Sequence, residues 1–139
     1  MSVGETYDMD FTVEHVSGDL NYMYSFEVDL PSGWTINSIA DPPPNTDICS
    51  DLTIGVINGQ TLWWGGDEPR DGCGPYPSGT YIFSANVTVG SCPSASVGLD
   101  WVDTGDTYNS APHEVSGTYS IGCVGGGTGG ASVTSVEEE

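Results

Sequence analysis

Twenty Asp and Glu residues stand against a single Arg and no Lys, so carboxylate oxygen is the chemistry this chain has most to offer. Asp103, Asp106 and Asn109 run from a strand-like stretch into a loop through Asp100-Trp101-Val102-Asp103-Thr104-Gly105-Asp106. Calcium, a hard cation that gathers several oxygen ligands, suits such a set on a flexible loop. The spacing is not that of an EF-hand, and solvated loop carboxylates are the plainer alternative. A second group, Asp67, Glu68 and Asp71, shares its loop with Arg70, which can simply pair with one of them. Calcium is the one ion the pattern suits; no organic cofactor is expected.

Catalysis finds little to work with. The histidines, His15 and His113, each stand alone in strand-like sequence. No nucleophile elbow, zinc-protease helix, phosphate loop or dinucleotide fingerprint occurs. A glycosidase needs only two carboxylates, but among twenty a suitable pair arises easily, and this length leaves little room for a deep cleft. The expectation is a protein without enzymatic activity.

Trp63-Trp64 is the most suggestive aromatic feature. Neighbouring side chains on a strand point to opposite faces, so one core cannot hold both indoles. Trp64 keeps phase with Leu62 and is expected inside. Trp63 is then either exposed or covered by the loop over 65–79, which contains Tyr76. An exposed aromatic beside carboxylates stacks on sugar rings or enters protein interfaces. Trp63 and Tyr76 are thus the candidate ligand-binding pair, with Trp34 and Trp101 in phase with the core.

The elements that must position these residues are strands. Tyr7, Met9, Phe11 and Val13 alternate with polar residues, as do Tyr22, Tyr24, Phe26, Val28 and Leu30, the mark of half-buried strands. Trp34 to Ile36 follows a Pro31-Ser32-Gly33 turn, and a slip in phase near Ser38-Ile39 predicts a bulge or the strand end. Pro42, Pro43 and Pro44 force a loop. Asn58-Gly59 predicts a hairpin between Leu52–Val56 and Leu62–Trp64. Alternations over 81–89, 95–101 and 115–121 complete about eight strands, with no amphipathic helical window. Short, evenly spaced strands with Gly/Pro punctuation predict an all-β, two-layer antiparallel sandwich. The domain is expected over 1–124. Residues 125–139, opening on Gly125-Gly126-Gly127-Thr128-Gly129-Gly130, read as a glycine-rich linker and acidic tail.

Four cysteines, Cys49, Cys73, Cys92 and Cys123, include no CxxC pair, which disfavours a zinc ribbon or a thioredoxin-like site. Cys49 and Cys73 bracket one predicted hairpin and Cys92 and Cys123 another, so 49–73 and 92–123 are the preferred pairings of three. Two disulfides imply an oxidising compartment. A formal charge of −19 repels phosphate backbones and anionic lipid. No apolar run approaches the ~20 residues of a membrane span. Met1 leads straight into polar strand-like sequence, as in a mature form or an excised domain.

Three segments carry a resemblance: Leu30-Pro31-Ser32-Gly33-Trp34-Thr35-Ile36, Gly79-Thr80-Tyr81-Ile82-Phe83, and the stretch from Gly105 to Gly117. They resemble Ig-like or fibronectin-III-like repeat domains of secreted bacterial surface proteins of the adhesin type, over roughly residues 4–122. The resemblance implies an Ig-like sandwich with an extracellular spacer, adhesion or assembly role, and transfers no catalytic residue. The expected function is an extracellular structural or adhesive module, either a surface-protein repeat or a pilus-like filament subunit. Its partners would be other copies of itself or other cell-surface proteins. In the assembly version, residues 131–136 or those before Tyr7 complete a neighbour's sheet. The alternative is a carbohydrate-binding module, with glycans as partners and calcium as an aid.

Overall fold

The computed structural model describes residues 1–16, 22–44, 53–66, 75–105, 114–124 and 136–138. Alternation builds strands throughout: β1 (Thr6–His15), β2 (Met23–Asp29), β3 (Thr35–Ile39), β4 (Ile54–Asn58), β5 (Thr61–Gly65), β6 (Gly79–Thr88), β7 (Ser96–Gly105), β8 (Glu114–Gly122) and the short β9 (Val136–Glu138). They form two layers, one ordered β3-β6-β1-β9 and the other β4-β5-β2-β7-β8. All pairings are antiparallel except β1 with β9, where Val13, Glu14 and His15 run parallel to Val136, Glu137 and Glu138. The architecture is the expected two-layer sandwich, compatible with an Ig-like fold.

The core forms because each sheet turns one apolar face inward. Met9, Phe11, Val13, Phe83, Ala85 and Val87 face Phe26, Val28, Leu62, Trp64, Leu99 and Trp101, all buried. Phe26 stacks on Phe83 with centroids 5.4 Å apart, and Trp64 lies 5.2 Å from Phe83. Burial of each large side chain contributes roughly 1.5–3 kcal/mol. Indole nitrogens inside this layer must also find acceptors. Trp64 Nε1 donates to Ala40 O at 3.0 Å, and Trp34 Nε1 to Ser91 O at 2.8 Å.

Two irregularities reset the alternation. The predicted slip in β3 occurs between Ile36 and Ser38 as that strand pairs with β6. A second slip, between Met23 and Ser25, was not expected. It makes Met23, Phe26 and Val28 the buried set, while Tyr24 is only half-buried. The continuous Tyr22–Leu30 phase is therefore corrected.

The β4–β5 hairpin closes with Asn58 paired to Thr61 and Gly59 at φ +61°. Primed hairpin turns need that left-handed value, which glycine adopts without a Cβ penalty. Cys92, between β6 and β7, joins Cys123, just after β8, with Cα atoms 5.4 Å apart. Beside this bridge the Met1 ammonium donates to Gly122 O at 2.8 Å, and Ser2 pairs with Val124. Cys49 and Cys73 lie outside the described residues.

Candidate functional site

The outer face of the five-stranded sheet is built in rows by the register. Val56, Trp63, Glu27, Val102 and Ser116 form one row across β4, β5, β2, β7 and β8. The next row holds Asn58, Thr61, Asp29, Asp100 and Thr118. In it Thr61 Oγ1 donates to Asp29 Oδ1 and Thr118 Oγ1 to Asp100 Oδ1, each at 2.6 Å. On the other side lie Ile54, Gly65, Ser25, Thr104 and Glu114.

Trp63 lies across this face. An added Cβ on Gly65 would fall 2.7 Å from both Cζ2 and Cη2 of the indole, so the ring rests where any larger residue at 65 would stand. Tyr24, turned by the β2 bulge, meets the same indole edge-on, with centroids 6.1 Å apart and planes at 65°. Glu27 is directly opposite Trp63 on the neighbouring strand, a separation of about 5 Å between Cβ atoms. Its carboxyl is raised above the usual glutamate range, first by partial burial and then by the negative charges of Asp29 and Glu114. A half-buried indole, a tyrosine and a carboxylate in a negative field therefore share one surface.

Tyr76 does not join them. It is fully buried, its hydroxyl donates to Pro43 O at 2.8 Å, and its ring packs on Tyr81 at 4.7 Å. Burial drives its phenol well above the ordinary tyrosine range. The expected surface pair of Trp63 with Tyr76 is corrected to Trp63 with Tyr24. The β2 bulge, which a strict alternation hides, is the reason.

The carboxylate expected on a loop lies in the interior. β7 continues through Asp103 to Gly105, and Asp103 keeps the inward phase of Leu99 and Trp101. It is 3% exposed, and its Oδ2 lies 2.9 Å from His15 Nδ1 on the opposite sheet, itself 5% exposed. Among the described residues, Asp103 Oδ1 has no hydrogen-bond partner. His15 follows Val13 by two and Asp103 follows Trp101 by two, so both belong to inward rows, but spacing does not record that they meet. Asp106, Asn109 and His113 lie outside the described residues, as do Asp67, Glu68, Arg70 and Asp71. Among the described residues no group of three or more His, Cys, Asp or Glu side chains is placed to hold a metal ion.

A groove of about 310 Å³ crosses the outer face of the other sheet, lined by Asp8, Asp10, Ser38, Ile39, Ser84 and Asn86 among others. Its polar groups are engaged with one another: Asn86 Nδ2 donates to Asp8 at 2.8 Å and Ser84 Oγ to Asp10 at 2.6 Å. Among the described residues, no helix is long and apolar enough to cross a membrane. The chain matches no protein-family model, curated protein or solved structure compared with it.

Proposed function

We propose that this protein is an extracellular structural or adhesive module that acts by surface contact and without catalysis. The observation that carries the reading is the edge of the five-stranded sheet. β4 is terminal in that sheet, and its sequence Ile54-Gly55-Val56-Ile57-Asn58 contains no charge and no proline. Ile54, Val56 and Ile57 are all exposed. Edge strands in soluble proteins are ordinarily blunted by lysine, proline, bulges or cover, so an uncharged, exposed edge favours pairing with another strand. The Cys92–Cys123 bridge fits an oxidising compartment, and the His15–Asp103 pair is closed off from solvent, which suits packing better than turnover.

β9 bears on the assembly version. It pairs with β1 of its own chain, covering three of that strand's ten residues. The tail need not complete a neighbour's sheet to find a partner strand, so β4 is the better edge for assembly. Electron microscopy and sizing of the purified chain, with Val56→Lys as the edge-blocking variant, test the reading. Filaments or oligomers abolished by Val56→Lys support a filament subunit. A monodisperse chain that adheres to cells or matrix supports a surface repeat. A monodisperse chain that adheres to nothing contradicts both.

A further inference from the structure

We propose that the Trp63 surface is a docking site for a lysine or arginine side chain presented by a different protein. The proposal deepens the adhesive reading, from which it takes only the assumption of a macromolecular partner. Three observations converge on the ligand's chemistry.

The first is the shape of the site. Trp63 lies over Gly65 with Tyr24 against its edge, which places a half-buried indole on the outer face of the sheet. A cation over an indole face is stabilised by about 0.5–2 kcal/mol, more as water is excluded. The second is the field. Glu27 sits directly across from Trp63, with Asp29 and Glu114 near enough to oppose its ionisation. A positive charge arriving there relieves that repulsion and gains the indole face at once. The apolar stem of Lys or Arg matches Val56 and Val102, which flank Trp63 and Glu27 in the same row.

The third observation identifies whose cation it is. The whole chain has no lysine and one arginine, Arg70. The Met1 ammonium is held by Gly122 O. A second copy therefore has almost nothing cationic to offer and brings its own −19 charge. A basic partner is drawn in by the same charge that repels a copy. A neutral sugar would stack on the indole but gain nothing from the carboxylates.

The test is calorimetric titration of the full chain with a lysine-rich peptide, a glutamate-rich peptide of equal length, and a soluble oligosaccharide. Trp63→Ala and Glu27→Gln alter the site, Asp8→Asn removes one charge from the opposite sheet, and Arg70→Ala removes the chain's own guanidinium. The expected result is saturable binding of the lysine peptide alone, weakened about five- to tenfold by Trp63→Ala and by Glu27→Gln and unchanged by Asp8→Asn. Equal weakening by Glu27→Gln and Asp8→Asn, with none from Trp63→Ala, would mean attraction by net charge and overturn the site. Binding of the oligosaccharide instead, lost in Trp63→Ala, would overturn the cation and leave an adhesive surface. Binding gained about tenfold in Arg70→Ala would show that the chain fills the site itself, which also overturns the proposal. Failure of all three ligands overturns the site, while adhesion to cells or matrix still decides the broader reading.

Discussion

Asp103 and His15 join the two layers through a hydrogen bond in a space with little water. Removing Asp103 takes from buried His15 Nδ1 the bond it makes across the core, a loss of about 1–3 kcal/mol. Asp103→Ala is accordingly expected to lower unfolding stability by that amount in urea titration. The double variant His15→Phe with Asp103→Leu should recover most of that loss. Glu27 has the opposite character. Its raised carboxyl means that the folded state holds the proton more tightly than the unfolded chain does. This contribution is therefore most favourable in acid and falls as pH rises through the usual glutamate range and the raised value above it. Because Glu27 is only partly buried, solvent screens its charge, and Glu27→Gln should stabilise the chain at pH 7 by only a few tenths of a kcal/mol. That gain should vanish below about pH 4, as thermal melts across pH would register. None of this was visible from residue types. His15 and Asp103 are polar residues in inward phase, and the sequence offers no sign of which buried polar groups meet across a core.

The strands themselves were plain in the alternation, because a period of two on a half-buried strand is dictated by geometry rather than by tertiary context. The β1, β6 and β7 phases and the β4–β5 hairpin follow that rule. The Tyr24 bulge escaped because both phases of Tyr22 to Leu30 contain apolar residues, Met23 among them, so the pattern reads through the slip. The crossing of β3 into the sheet of β6 and β1 depends on long-range pairing, which no local spacing records. Close approaches between connections are similarly invisible. An added Cβ on Gly90 would stand 1.9 Å from Gly33 O, in a turn where Gly33 itself has φ +86°. Gly90→Ala is expected to cost about 2–3 kcal/mol through backbone displacement, measured as a fall in urea midpoint at unchanged slope. At Gly65 the obstruction is the movable Trp63 ring as well as Ser25 Cβ. Gly65→Ala should therefore disturb near-ultraviolet dichroism along with stability.

At the scale of the molecule, the Cys92–Cys123 bridge and a large negative charge pull stability in opposite directions. The Cys92–Cys123 link spans 31 residues of sequence and closes onto the segment that anchors Met1. Chain entropy assigns such a closure about 3–4 kcal/mol. Reduction should lower the thermal midpoint, and moderate salt should recover part of it by screening the −19 charge. The two-layer architecture was legible because apolar strand faces must be buried in pairs. The face proposed for docking was not, since it depends on Trp63, Tyr24 and Glu27 meeting through register and a bulge. Nuclear magnetic resonance mapping with a lysine-rich peptide tests that face most directly. The account predicts shifts at the Trp63 indole N–H and the amides of Tyr24, Glu27 and Val102, with the β1–β6 face silent. Shifts spread evenly over both sheets, or confined to Asp8, Asp10 and Asn86, would contradict it.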